Sequence, residues 1–147
     1  MNISLEDAQK LIACVQSKAI SINKPVTTAV VDAGGYIVAL ERMDGARPLQ
    51  PSISTAKAYT AAVMQRPGIM LKGWQENQPG FFASVSSMGM HPIVAAEGSM
   101  TIKKDGVLIG GLGVAGGTGP EDHQICEEAL SEMGFELDFE QFNSLKK

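Results

Sequence analysis

The chain has 147 residues, of which 44% are hydrophobic and 19% charged, a composition typical of one globular domain that buries about two-thirds of its surface. Its formal net charge is −4 and its 12 lysines and arginines are scattered, which argues against nucleic acid as a partner because phosphate binding requires a concentrated basic surface. The sequence contains no apolar run of membrane-spanning length and no signal-peptide pattern. We therefore expect residues 1–147 to form a single cytoplasmic domain that binds neither membranes nor nucleic acid.

The first part of the chain predicts a helix, a β-hairpin and a second helix. Ser4 and Asp7 form an S-x-x-D cap, and the apolar residues behind it recur at spacings of three and four, which predicts an amphipathic helix. Two β-rich runs at residues 26–33 and 36–43 surround a Gly-Gly pair, the arrangement expected of a hairpin. An alanine-rich helix is predicted at residues 52–64.

The second part predicts another hairpin and a last helix. Residues 66–80 are rich in proline and glycine, so at most one or two helical turns are expected, and their apolar side chains are expected to cover the core, a cleft or a partner subunit. A short strand is predicted at residues 93–96, and a hairpin pairs residues 100–104 with 107–115 across an Asp-Gly turn. A T-x-x-E capping box starts the last helix at residues 120–133, and the acidic, Phe-rich tail is expected to be a docking segment or a short edge strand. This order of elements predicts an α+β fold with a four- or five-stranded antiparallel sheet flanked by helices.

The most informative segment is the glycine-rich run at residues 105–118. Gly111, Gly113 and Gly116 match the G-x-G-x-x-G pattern of dinucleotide-binding proteins. That fingerprint requires a further strand with an acidic residue about 20 positions on, whereas here one acidic helix follows. Glycines inside a strand instead indicate close approach by a ligand or another backbone, and we expect a ligand to fill the room that their missing side chains leave. Two carboxylates already lie at the start of the last helix, so this space suits a neutral or singly anionic group better than a polyanion.

Three sequence blocks carry a resemblance to a known family. They are V-D-A-G-G through R-M-D-G-A at residues 31–46, S-T-A-K-A-Y-T-A at residues 54–61, and the run at residues 105–118 with Asp122 downstream. With these blocks the chain resembles the GlcG/HbpS-like family, also found as the C-terminal domain of PduO-type cobalamin adenosyltransferases, over residues 4–133. The resemblance implies an antiparallel sheet flanked by helices, assembly into dimers or larger oligomers and, in some members, haem binding.

Five side chains are candidates for chemistry. Lys57, set among small residues, is a candidate base, amine nucleophile or carboxylate anchor, or else a helix lysine that reaches to solvent. Arg42 is a candidate for bidentate carboxylate binding, as is Arg47, although Arg42 has equally plausible structural partners among nearby aspartates. His91, which follows two methionines in M-G-M-H-P, is a candidate axial haem ligand or a hydrogen-bonded loop histidine. Glu97 is a candidate acid/base partner of Lys57 or His91.

The two cysteines and the second histidine have simpler expected roles. Cys14 and Cys126 lie in helical patterns and are expected to be buried, reduced thiols. His123, beside two acidic residues at a helix start, is expected to be a solvated surface residue. Because the chain has only two histidines, it cannot form a site of clustered histidine ligands by itself, and we predict no metal site.

These observations lead to three functional hypotheses. The first is a small-molecule-binding accessory protein that holds haem or another carboxylate-bearing ligand in a pocket beside the glycine-rich strand. Its candidate ligand-binding residues are Arg42, Lys57, Trp74, Phe81, His91, Gly113, Gly116 and Gly117. The alternative is a cofactor-independent hydrolase, deaminase or isomerase acting on a small carboxylated catabolic intermediate, with Lys57, His91 and Glu97 as catalytic residues and a site possibly shared between subunits. The third is a structural module whose aromatic loop and acidic tail bind a partner. In each case we expect a homo-oligomer.

Overall fold

A computed structural model of the chain describes residues 1–137. Within these residues, five α-helices and four strands follow one another, with a 3₁₀ turn at Gly68–Leu71. Their bounds are α1 Leu5–Ser21, β1 Thr27–Asp32, β2 Ile37–Arg42, α2 Gln50–Met64, α3 Lys72–Asn77, α4 Pro79–Ser86, β3 Ser99–Lys104, β4 Val107–Ala115 and α5 Gly119–Glu132. This arrangement confirms the predicted α+β fold and both predicted hairpins.

The strands form one antiparallel sheet in the order β2-β1-β4-β3. The paired helices α1 and α5 cover one face, and α2 covers the other. The α1/α5 face holds the larger core of branched residues, including Leu11, Ile102 and Leu112. The α2 face holds smaller side chains such as Ala29 and Ala58, so α2 lies close to the sheet.

The glycines of β4 explain that close approach. A Cβ at Gly111 would overlap the carbonyl oxygen of Ala58, and one at Gly113 would overlap the carbonyl oxygen of Ser54. Only a residue without a side chain allows the α2 backbone to pack at these positions. The expectation that a ligand fills the room above these two glycines was therefore wrong, because α2 occupies it.

The capping residues in the sequence correctly predicted where α1 and α5 begin. The Ser4 hydroxyl accepts a hydrogen bond from the Asp7 backbone N–H at 3.1 Å. At the start of α5, the Thr118 hydroxyl accepts a hydrogen bond from the Glu121 backbone N–H. The Glu121 carboxylate in turn accepts from the Thr118 backbone N–H, which completes a capping box. These contacts satisfy donors that a helix N-terminus otherwise leaves without partners.

The segment between α2 and β3 departs from the prediction in two ways. It is more helical than expected, because a 3₁₀ turn, α3 and α4 follow one another there, with Pro79 in the first turn of α4. Residues 93–96 form no strand: the Val94 N–H donates to Thr60 Oγ1 at 2.9 Å, and Ile93 packs in a small core with Tyr59 and Phe82. Tertiary contacts with α2 and α4 thus replace strand pairing.

The structure confirms only part of what the sequence predicted for the burial of the two cysteines and His123. Cys126 is fully buried, whereas Cys14 is partly buried against the Glu132 carboxylate. Burial, reinforced by Glu132, raises the pKa of the Cys14 thiol to about 11. The expectation for His123 was wrong: its side chain is buried at 9% exposure and lies 2.5 Å from the Glu127 carboxylate one helical turn on.

The start of the tail runs beside β3. The Glu136 N–H donates to the Lys103 carbonyl at 2.9 Å, and Phe135 packs into the α1/α5 core. The rest of the predicted docking segment, residues 138–147, lies outside the described residues. Within residues 1–137, no helix is long and apolar enough to cross a membrane.

Candidate functional site

A cavity of about 330 Å³ opens where β4 leads into α5, opposite the start of α2. Its volume falls within the range of small-ligand pockets, roughly 300–1,000 Å³. It is lined by Arg47, Leu49, Gln50, Ile53, Lys57, Ala115, Gly116, Gly117 and Asp122. Apolar side chains and a small number of polar groups therefore share its wall, as is usual for ligand sites.

The inner wall carries a buried ion pair. Lys57 is only 7% exposed, and its Nζ donates to the Val114 carbonyl at 2.8 Å and to Asp122 Oδ2 at 3.2 Å. The other oxygen of Asp122, Oδ1, accepts from the Gly117 N–H at 2.9 Å. Burial raises the pKa of the Asp122 carboxyl, and this effect outweighs the opposing charge of Lys57.

The cavity carries one positive charge in excess. Arg47 is exposed at its mouth, and its guanidinium has no ion-pair partner within residues 1–137. Lys57 contributes a second positive charge, which the ionised Asp122 balances. A single anionic group on a ligand would therefore neutralise the lining.

Three backbone donors near the cavity are already used within the chain. At the start of α2, the Gln50 N–H donates to the Arg47 carbonyl at 3.0 Å. At the start of α5, the Thr118 N–H donates to Glu121 Oε1 at 2.8 Å, and Gly117 donates to Asp122. These three N–H groups are therefore not available to a ligand.

One side chain of the cavity lining has a buried polar atom without a hydrogen-bond partner among the described residues. Gln50 is 5% exposed, and its Oε1 is buried without a hydrogen-bond partner among the described residues. Such orphaned acceptors are uncommon in folded proteins, because a buried polar atom without a partner loses its hydration without compensation.

The cavity brings together three of the residues predicted for ligand binding: Lys57, Gly116 and Gly117. Arg42 does not line it. Its Nε and Nη2 atoms instead donate to the Ala46 carbonyl at 3.0 and 2.8 Å, which closes the loop after β2. Arg47, the other arginine considered from the sequence, takes the position at the cavity mouth.

The aromatic residues and His91 lie elsewhere. The Trp74 ring packs against Phe81 and Phe82, at centroid distances of 5.8 and 5.4 Å. The half-buried His91 ring meets Tyr59 edge-on at 5.2 Å, and the Tyr59 hydroxyl accepts the N–H of Met90. His91 thus belongs to a loop that is anchored on α2.

Glu97 is also outside the cavity lining. Its carboxylate lies against Gly119, where α5 begins. The cavity therefore joins Lys57 with neither His91 nor Glu97, and its acid/base pair is Lys57 with Asp122.

Sequence reasoning did not select Gln50 or Asp122 as site residues. Asp122 belonged to the third family block, and that position was the available signal. No local pattern marks Gln50, because its role depends on where the loop before α2 meets the end of β4.

Haem does not fit this cavity on the evidence of its lining. The axial ligands of protein-bound haem are His, Cys, Met or Tyr, and none of these lines the cavity. His91 offers a suitable imidazole in a different place, directly after Met88 and Met90 in the sequence, which are 73% and 52% exposed. Within residues 1–137, no group of three or more His, Cys, Asp or Glu side chains is arranged to hold a metal ion.

The fold is that of an α+β protein whose four-stranded antiparallel sheet lies between one helix and a helix pair. The family model described as haem degrading protein HbpS-like matches residues 3–131. The chain therefore belongs to the HbpS-like family, which confirms the resemblance read from the sequence.

Two curated relatives and one solved structure place the chain within that family. It is 35% identical over 139 residues to an uncharacterized 15.0 kDa protein of the dhaT-dhaS intergenic region of Citrobacter freundii, covering 87% of this chain and 89% of that protein. It is 37% identical over 115 residues to protein GlcG of Escherichia coli K12, and the match covers 77% of this chain and 81% of that protein. The crystal structure of a PduOC:haem complex matches with a TM-score of 0.83 at 26% identity, covering 93% of this chain and 99% of that one.

Proposed function

We propose that this protein is an accessory protein that binds a small carboxylate-bearing molecule in the cavity between α2, β4 and α5. The observation that carries the proposal is the buried Lys57–Asp122 pair, set beneath an arginine that has no ion-pair partner within residues 1–137. Arginine at a cavity mouth is well suited to carboxylates, because its planar guanidinium presents two parallel N–H donors.

The charge of the lining favours one carboxylate over two. A monocarboxylate would neutralise the single excess positive charge, whereas a second carboxylate would meet Asp122 without a cation to balance it. The apolar side chains of Leu49 and Ile53 would contact the carbon skeleton of such a ligand.

Calorimetric titration of the full chain with propionate and with succinate tests this proposal. We expect propionate to bind more tightly than succinate, and Arg47→Gln to weaken propionate binding about tenfold, the loss expected of one charge-assisted hydrogen bond. Arg66→Gln is the matched control, because Arg66 is an exposed arginine whose Nε donates to the Met64 carbonyl, away from the cavity. Absence of binding, or equal effects of the two substitutions, would contradict the proposal.

Haem bound at the His91 loop is a second candidate. It is supported by the half-buried imidazole of His91, which follows two exposed methionines in the sequence, and by the similarity to the PduOC:haem complex. Haem, when bound, supplies an iron whose axial position an imidazole can occupy. The chain's own contribution would be to orient His91 through its edge-on contact with Tyr59.

A haemin titration tests this second candidate. The Soret band of haemin should shift on binding, and His91→Ala should weaken that shift, whereas His123→Gln should preserve it because His123 lies in α5 beside Glu127. An unchanged spectrum at micromolar haemin would remove haem from consideration.

A further inference from the structure

We propose that the loop between α4 and β3 binds the soft cation Cu(I) through the thioethers of Met88 and Met90 and the imidazole of His91. None of these residues lines the carboxylate cavity, so the site is independent of it. The structural basis is an anchored loop that carries two exposed methionines and an imidazole whose nitrogens make no hydrogen bond within residues 1–137.

The loop is closed at its base and anchored on α2. The Ile93 N–H donates to the Ser86 carbonyl at 3.2 Å, which joins the two ends of the loop. In its middle, Gly89 lies so close to the Tyr59 hydroxyl that a Cβ would overlap it. The Met90 N–H donates to the same hydroxyl at 3.1 Å. A loop this short, joined at its base, keeps its side chains near one another.

The two methionines of this loop are unusually exposed. Met88 is 73% exposed and Met90 is 52% exposed, although methionine is among the residues most often buried in folded proteins. Packing within residues 1–137 therefore does not account for these two side chains. Methionine is unbranched and flexible and carries a polarisable sulfur, so both thioethers can turn toward one bound ion.

His91 supplies the third ligand. Its ring meets Tyr59 edge-on at a centroid distance of 5.2 Å. Neither ring nitrogen has a hydrogen-bond partner in the part of the chain that the structure describes. The aromatic contact thus holds the half-buried imidazole in place, while its nitrogens remain available to a ligand.

This set of ligands selects the kind of cation. Thioether sulfurs are soft ligands that favour Cu(I), and imidazole also suits copper. Zinc sites use Cys, His, Asp and Glu instead, and within residues 1–137 no group of three such side chains is arranged to hold a metal ion. The prediction of no metal site rested on the small number of histidines, whereas methionine thioethers are ligands of a different kind.

Silver(I) is a soft probe that does not change its oxidation state. We expect equimolar Ag(I) to shift the methyl NMR signals of Met88 and Met90 and the ring signals of His91. The full chain should carry Cys14→Ser, which removes the less buried of the two thiols. The methyl signal of Met1 is the internal control and should stay unchanged, because Met1 is 87% exposed but has no histidine or second methionine beside it in the sequence. Zn²⁺ should shift no methionine methyl signal.

Competition with the chelator bicinchoninate in the presence of ascorbate measures the affinity for Cu(I). Met88→Leu and Met90→Leu should each weaken binding at least about tenfold, the lower end of the loss seen when even a supporting residue of a metal site is changed. Leucine nearly preserves the volume of methionine, so these variants should fold. Met70→Leu, in the 3₁₀ turn outside the loop, is the matched control and should leave the affinity unchanged.

The outcomes are decisive for the loop. Equal effects of the three leucine substitutions, or Ag(I)-induced shifts confined to other parts of the chain, would overturn the site. Either result leaves the carboxylate proposal untouched, because the cavity is lined by other residues. Haem would use the same imidazole, but the methionine methyl signals with Ag(I) and the Soret band with haemin are separate measurements.

Discussion

At the scale of single residues, the Lys57–Asp122 pair is the most consequential contact in the chain. Both side chains are almost fully buried and lie 3.2 Å apart. Removal of one partner from such a pair leaves the other charge buried without compensation, which typically costs about 3–5 kcal/mol. The pair therefore links the stability of the fold to the electrostatics of the cavity.

Lys57→Met tests this link. We predict a loss of about 3 kcal/mol or more in the free energy of unfolding at pH 7, measured by urea denaturation. Lys10→Met is the matched control, because Lys10 forms an exposed pair with Glu6 on α1, where both side chains are more than half exposed and such pairs contribute little. Equal effects of the two substitutions would contradict the account of the buried pair.

The same variant has a predicted pH dependence. Burial raises the pKa of Asp122, so the folded state holds this proton more tightly than the unfolded chain, and protonation of Asp122 favours folding as the pH falls through its folded pKa. Removing the charge of Lys57 raises that pKa further. The destabilisation in Lys57→Met should therefore be largest at neutral pH and shrink on acidification, with the carboxyl ¹³C shift of Asp122 reporting the titration. A destabilisation that does not depend on pH would contradict this.

At the scale of secondary-structure elements, the contact between α2 and β4 positions the cavity. Gly113 lies directly beneath the Ser54 carbonyl of α2. Lys57, one turn further along α2, reaches the Val114 carbonyl at the next position of the strand. The glycines of β4 thus contribute to the site indirectly, because they bring α2 close enough for Lys57 to reach Asp122.

Gly113→Ala should therefore be destabilising. The added methyl group would force α2 away from the sheet, at a cost of about 1–3 kcal/mol, and would also weaken carboxylate binding. Gly73→Ala is the control, because a Cβ at Gly73 meets nothing within 4 Å and alanine favours a helix. Thermal unfolding of both variants checks this, and a neutral Gly113→Ala would contradict the packing described here.

Elements with local signals were predictable, and those shaped by distant contacts were not. The cap of α1, the capping box of α5 and the two hairpins are encoded within a few residues of each element. By contrast, residues 93–96 have the composition of a strand, but their backbone is bound by α2 and α4. Their conformation follows from packing that no short window of sequence contains.

The same distinction applies to the candidate site. Lys57, Gly116 and Gly117 were identified because each stands out locally, the lysine among alanines and the glycines at a helix start. Asp122 pairs with Lys57 across 65 positions of sequence, and Gln50 joins them only through the fold. Arg42 and Arg47 were both candidates for carboxylate binding, and only the fold distinguishes them, because the guanidinium of Arg42 closes a turn.

At the scale of the whole molecule, exposed apolar residues favour self-association. Ile37 and Leu40 on the edge strand β2 are 50% and 39% exposed, and Leu49 and Ile53 near the start of α2 are 65% and 39% exposed. Exposed apolar side chains on an edge strand commonly mark subunit contacts. We therefore predict a homo-oligomer.

Light scattering on the purified chain checks the oligomeric state. Leu40→Glu should shift the equilibrium toward monomer, because it places a charge in the contact. Leu5→Glu, which alters an exposed leucine at the start of α1, should have no such effect. A monomer at every concentration would contradict the prediction.

The proposed function requires a ligand to enter the cavity at the end of β4. An amide chemical-shift titration of the full chain with propionate tests this most directly. We predict saturable shifts at Gly116, Gly117 and Gln50, while the amide of His91 stays unchanged. The absence of saturable shifts at these three positions, or shifts confined to other parts of the chain, would contradict the assignment of the site.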